Sequence, residues 1–208
     1  MGQVISLAQQ KGGSGKTTLA LNIACAAIED GMSVALLDTD PQGSLGQWFM
    51  RRRQAMDPGM SFSTSSAWGV AYECDKLRGQ SDIVIVDTPP KVDADLRPAL
   101  RESSLILVPV ASSHLDLWAT ESVLDLAARE KRRSAIVLNR SAPRARLMDE
   151  VVAALGDIEA PRLVTMLGNR VVYAEATGQG RGVVEMTRAG KAAEEVRALW
   201  AEVRGMID

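Results

Sequence analysis

One stretch, QKGGSGKTT from Gln10 to Thr18, restricts the architectures open to this chain more than any other feature. It follows an apolar run, Val4 to Ala8, that reads as a buried strand. It precedes Leu19 to Glu29, where Ala20, Ile23, Ala24, Ala27 and Ile28 recur at helical spacing until Gly31 can end the helix. Gly12, Gly13 and Gly15 let the backbone wrap tightly, so successive N–H groups face one concavity at the positive end of a helix, where phosphate oxygens bind. In that setting Lys16 sets a point charge on the outer phosphates and the Thr17 hydroxyl is placed to ligate Mg²⁺.

Two later stretches repeat the strand-then-acid pattern. In VALLDTDPQGS, Val34 to Leu37 are apolar without alternation, which suits a central parallel strand covered on both faces, and Asp38 and Asp40 follow at its C-terminal end. In an α/β sheet that edge is where ligands bind. Two carboxylates beside a Mg²⁺-nucleotide can hold the metal's water shell and orient an attacking water; a turn with a helix-capping aspartate is the competing reading. Ile83 to Val86 form a third apolar run ending in Asp87-Thr88-Pro89-Pro90. Asp87 thus occupies a Walker B position, and the prolines bar an immediate helix, leaving a loop free to sense the nucleotide.

The glycine loop departs from G-x-x-x-x-G-K-[ST]: Gln10 stands where the first glycine would be, and Lys11 is an added lysine. It resembles the deviant Walker A loop, KGGxGK[ST], of the ParA/MinD family of dimeric ATPases. The resemblance implies ATP and Mg²⁺ as cofactors and a nucleotide site of Lys11, Gly12, Gly13, Ser14, Gly15, Lys16, Thr17 and Thr18. It also implies a sandwich homodimer in which Lys11 reaches the partner's nucleotide. On the family's DxDPQ motif, Asp40 positions the hydrolytic water; Asp38 joins Thr17 and Asp87 around the metal. Lys11, Lys16 and Asp40 are the expected catalytic residues. Asn139, after the strand Ala135 to Leu138, lies where family members approach the base, although an asparagine ending a strand is also an ordinary turn former.

Leu105 to Val110 reads as a further strand, followed by an amphipathic helix through Arg133 on Leu117, Val123, Leu124 and Ala127. His114 is expected in a solvent-facing loop before that helix. Repeated strand–helix units predict an α/β fold: a mainly parallel sheet flanked by helices on both faces, of the P-loop NTPase type, with residues 1–208 forming one domain. Cys25 and Cys74 lie outside any metal-ligand spacing, and Cys25 among alanines reads as a buried thiol. The chain enters its first strand at once and carries no apolar run of about 20 residues, so a cytoplasmic protein without signal peptide, membrane span or N-terminal DNA-reading module is expected.

The net charge of −2 gives no global sign of a nucleic-acid partner. From Arg129 to Arg170, however, nine basic residues face five acidic ones. Such a local surplus suits sequence-independent contact with DNA phosphates, with Arg140, Arg144, Arg146, Arg162 and Arg170 as candidates. The segment NRVVYAEATGQGRGVVE from Asn169 resembles the C-terminal segment of small ParA proteins at Arg170, Tyr173, Gly180, Val184 and Glu185. Arg51 to Arg53 admit two readings, a contact with DNA and, preferred, a solvated helix end. Near the C-terminus, Val196, Leu199, Trp200 and Val203 form one helical stripe whose flanking charges are mixed, which suits packing against the domain and not an anionic membrane. The resemblance therefore implies a nucleoid-associated positioning ATPase, weak until stimulated by a ParB-type cargo adaptor, that segregates a plasmid or chromosome or positions another cargo. A MinD-like membrane regulator and a metabolic ATP-dependent P-loop enzyme are the alternatives.

Overall fold

The computed structural model describes residues 1–90, 96–111, 114–141, 153, 160–188 and 190–207. Its centre is a six-stranded sheet formed by β1 (Gln3–Leu7), β2 (Val34–Asp38), β3 (Ser61–Thr64), β4 (Ile83–Asp87), β5 (Leu105–Val110) and β6 (Ser134–Leu138), in the order β3-β2-β4-β1-β5-β6. Every pairing is parallel. The unbroken apolar runs in β2, β4 and β5 are buried throughout, as strands covered on both faces require.

Alternation within those runs divides the core. Leu7, Leu36, Ile85 and Leu107 face a layer built from α1 (Lys16–Glu29), α2 (Ser44–Ala55) and a long C-terminal helix, Lys191–Ile207. On the other face lie α3 (Val70–Arg78), which packs on Leu37 and Val86, and then α4 (Leu96–Glu102) and α5 (His114–Arg129), which pack on Ile106, Val108 and Leu138. Each fully buried Leu or Ile in these layers contributes about 1.5–3 kcal/mol. Among the described residues two further helices follow: α6 (Val171–Gly178), and the C-terminal helix, here α7.

Several sequence expectations shift in detail. Trp68 to Leu77, which the sequence reads as one loose helix, divides into a 3-10 turn, Ala67–Gly69, followed by α3. His114 is the first residue of α5 and not a residue ahead of it. Pro109 is accommodated inside β5 because β1 pairs only with Leu105, Ile106 and Leu107, so the missing N–H removes no bond to β1. The expected terminal stripe is realised: Val196, Leu199, Trp200 and Val203 of α7 are all buried. Cys25 and Cys74 are both buried free thiols.

Beyond β6 the chain runs beside the sheet once more. Ile136 accepts from and donates to this run, through Leu163 N–H and Pro161 O, and Leu167 N–H bonds Leu138 O. Glu202 of α7 accepts hydrogen bonds from the Val164 and Thr165 amides, and Glu195 accepts one from Gly168. Carboxylates from a packed helix thus satisfy backbone donors that would otherwise form an open edge.

Candidate functional site: a phosphate loop beside three acidic residues

The sheet register brings the three sequence motifs together. Leu7 pairs with Asp87 across β1 and β4, and Asp87 pairs with Asp38 across β4 and β2, so the loop after β1 and both acidic strand ends stand side by side. The loop's close fit depends on Gly15. Its φ is +92°, and a Cβ there would lie 2.4 Å from the Asn139 side-chain nitrogen. Asn139 in turn donates from Nδ2 to the Ser14 carbonyl at 2.9 Å, while its Oδ1 accepts from the Arg140 amide. The Asn139 amide therefore ties the end of β6 to the loop, whatever it also offers a base.

Lys16, only 7% exposed, folds back over the loop, its Nζ donating to the Gln9 carbonyl at 3.0 Å. Burial lowers its pKa, and Asp87 and Asp40 oppose that shift. Gln9 was not singled out in the sequence, yet it anchors the loop. Its Nε2 donates to Pro109 O and Thr120 Oγ1, and its Oε1 accepts from the Gln10 amide. A glutamine ahead of a glycine loop carries no pattern of its own, because its partners lie about 100 residues away.

Thr17 Oγ1 donates to Asp87 Oδ2 at 2.6 Å. Asp87 Oδ1 is buried and, among the described residues, has no hydrogen-bond partner. Burial pushes the Asp87 carboxyl up to about 7; the Thr17 bond counters this, and nearby Asp38 adds to it. Asp38 is also raised, chiefly by burial, although its two oxygens accept from the Asp40 and Gly46 amides. Half-buried Asp40 caps its own turn, Oδ1 accepting from Gln42 N–H, just ahead of α2.

This donor set fits a hydrated cation between Thr17 and Asp87, which would meet the orphaned Oδ1 and favour the ionised carboxylate. Among the described residues no group of three or more His, Cys, Asp or Glu side chains could hold a metal. Mg²⁺ keeps its waters and binds through one or two protein groups together with substrate phosphates, and Thr17 and Asp87 can serve as those groups.

Next to the loop lies a cleft of about 490 Å³. Thr18 and Leu19 line it from α1, Asn139 and Arg140 from the end of β6, and Tyr173, Ala174 and Thr177 from α6. It opens beside the phosphate loop, and its volume lies within the ordinary range of small-molecule clefts. The α6 wall did not emerge from sequence periodicity, since the helix is short and apolar around most of its circumference.

Residues 5–190 match the family model described as the CobQ/CobB/MinD/ParA nucleotide binding domain. The chain belongs to this family. A "Maintenance of carboxysome distribution protein A" from Halothiobacillus neapolitanus is 32% identical over 96% of this chain and 95% of its own length. The "Chromosome-partitioning ATPase Soj" of Thermus thermophilus is 26% identical over 98% and 96%. The Mg-ADP complex of the septum site-determining protein MinD from Pyrococcus horikoshii superposes with a TM-score of 0.80 at 21% identity, covering 98% of this chain and 96% of that one. As a ParA/MinD-type ATPase the chain takes ATP and Mg²⁺, and the loop and the acidic strand ends fit both.

The remaining candidates are dispersed. Arg140 is exposed with a left-handed φ of 52°, and Arg162 is exposed beside β6. Arg170 folds onto Gly168 and pairs with Glu195 at 2.6 Å. Arg144 and Arg146 lie outside the described residues. Lys11 is half-buried at the start of the loop. The reading of Arg51 to Arg53 as a solvated helix end holds for Arg51 and Arg53, which are exposed, and is corrected at Arg52, which is only 3% exposed. Leu45, Trp48, Phe49 and Arg52 share one buried stripe of α2, so the signal was present in the i, i+3, i+4, i+7 spacing.

Proposed function

We propose that this chain is a positioning ATPase whose ATP-bound form is a face-to-face homodimer on non-specific DNA, released when a cargo adaptor stimulates hydrolysis. The observation that carries this reading is Lys11 in a phosphate loop that keeps Gly15, Lys16 and Thr17, in a chain whose carboxysome-distribution relative aligns over almost its full length. In the proposed site, Lys16 and the loop amides hold the phosphates. Thr17, Asp38 and Asp87 hold the metal and its water shell, and Lys11 enters the partner's site. Asp40, at the mouth of the turn into α2, orients the attacking water. Mg²⁺, when bound, neutralises charge developing on the phosphates. Asn139 and the cleft beside α6 receive the nucleoside.

Exposed Arg140 and Arg162, with Arg144 and Arg146, supply the phosphate contacts to DNA; Arg170 contributes to the degree that its pairing with Glu195 leaves it available. Relatives named for carboxysome distribution, in Halothiobacillus neapolitanus and Gloeobacter kilaueensis, favour a protein-shelled body as the cargo, ahead of a plasmid or chromosome. A MinD-like membrane role is disfavoured by α7, whose apolar stripe is already buried. No helix among the described residues is long and apolar enough to cross a membrane.

Binding to random-sequence duplex DNA with Mg-ATP, with ADP and without nucleotide, across a salt series, tests this function. Binding that requires ATP, ignores sequence and weakens steeply with salt supports it. If DNA is ignored in every nucleotide state while ATP still binds, the reading fails. Anionic liposomes and small-molecule acceptors are then the next probes.

A further inference from the structure

We propose that Arg52 is a positioning residue for ATP hydrolysis, holding the helix that follows Asp40 and the wall of the nucleoside cleft as one body. The proposal rests on the nucleotide site described above. Four guanidinium contacts are made at once. Nε donates to Pro58 O at 2.8 Å, Nη1 to Gly180 O at 3.2 Å and to Glu185 Oε2 at 2.8 Å, and Nη2 to Glu185 Oε1 at 2.7 Å. Such a planar fork is what arginine supplies and lysine does not. Its carbon Cζ also sits 5.6 Å from the Trp48 ring centre.

The segment so grasped, Gly178 to Glu185, runs directly on from α6. Arg51 and Trp48 hold it too, donating to Gly178 O and Arg181 O. Gly180 approaches so closely that a Cβ would stand 2.5 Å from the Arg52 backbone nitrogen. On its far side the same segment is tied to α1: Asn22 Oδ1 accepts from the Val183 amide while its Nδ2 donates to Thr18 O. At the opposite end of α2, the Gly46 amide bonds Asp38 Oδ2 and the Gly43 amide bonds the Asp40 carbonyl. A continuous set of contacts therefore joins the cleft wall, through Arg52 and α2, to Asp38 and Asp40 beside the phosphate loop. Displacing α2 by about 1 Å is enough to cost a hundredfold in rate when an attacking water must be aligned.

The test compares Arg52→Lys and Glu185→Gln with wild type in the full chain. It measures kcat and KM for Mg-ATP, the melting temperature, and hydrogen exchange of the Gly43 and Gly46 amides under saturating Mg-ADP. The expected result is a kcat lowered about tenfold or more with KM within about twofold, and faster exchange at those two amides in both variants. A lowered melting temperature with kcat per folded molecule and exchange unchanged would assign Arg52 a purely structural role and overturn the proposal. If Arg52→Lys does not fold, Glu185→Gln, which leaves the bonds to Pro58 and Gly180, decides by the same readings. Asp40→Ala measured alongside separates the two ideas: unchanged turnover there removes Asp40 from the mechanism, while the Arg52 variants still report on α2.

Discussion

Lys16 and Asp40 belong to the same candidate site, with Asp40 close enough to act on the Lys16 charge, yet their expected effects are opposite. Lys16 is desolvated and donates to the Gln9 backbone carbonyl, which leaves its charge available to a phosphate group. Lys16→Ala should weaken ATP binding by about a hundredfold, the equivalent of about 2.7 kcal/mol, in a nucleotide titration. Asp40→Ala should keep ATP and lose turnover, trapping the DNA-bound dimer in a pull-down on duplex DNA; unchanged turnover removes the assignment. Gly180 is a third position where a single atom decides. Its φ is +68° and a Cβ would press on the α2 backbone, so Gly180→Ala should cost about 2–4 kcal/mol in urea unfolding. Cys25, by contrast, is raised by burial and should stay unmodified by thiol reagents in the folded protein.

At the scale of elements, the Arg52–Glu185 pair joins α2 to the turn Val183–Glu185. Burial raises the Glu185 pKa, but the bonds from Arg52 and the Gly182 amide outweigh it, and the net shift is downward from 4.5. A depressed carboxyl contributes stability that is present above its unfolded pKa and is lost as pH falls through the folded one. Breaking a fully buried pair costs about 3–5 kcal/mol; with the Glu185 side chain 28% exposed, about 2–3 kcal/mol is expected for Glu185→Gln at pH 7. The gap between the variant and wild type should narrow below about 4.5 and close only once pH has fallen through the lower folded pKa, where both carry a neutral side chain. Urea midpoints at pH 7 and in acid check this; a gap independent of pH would assign the cost to shape and not charge. The surface pairs Arg197–Glu29 and Arg204–Asp30, which fasten α7 to α1, are exposed and should each matter little in salt.

For the molecule as a whole, nucleotide and a second subunit are the proposed regulators. Mg-ATP binds only the folded state, so the melting temperature should rise with ligand concentration and respond much less in Lys16→Ala. Lys11→Ala should still bind Mg-ATP as a monomer but fail to dimerise in light scattering after size-exclusion chromatography. A normal ATP-dependent dimer in that variant would remove the cross-subunit role. The exposed aromatic residues Trp68 and Trp118 offer intrinsic fluorescence reporters for such an assembly, because Trp48 and Trp200 are buried.

Much of this protein follows from local pattern. Buried strands betray themselves by unbroken apolar runs, and a glycine loop between strand and helix admits little but phosphate, so the α/β class, the loop and the acidic strand ends Asp38 and Asp87 were legible in the sequence. Other features depended on pairing across long separations. Register alone sets Asp38, Asp87 and the loop in one row. Gln9 anchors the loop through partners that no spacing rule connects to it. The α6 wall arises where a short helix lines one cleft together with the end of β6 and the start of α1. Arg52 shows the division within one residue: its place on the α2 stripe was fixed by helical period, yet a charge there reads as solvent-facing. Only the approach of Glu185, 133 residues away, makes its burial favourable. Sequence determines which groups are available and on which face of an element; the folded chain determines which of them meet, because burying a charge or a polar amide is favourable only where a distant partner arrives to satisfy it.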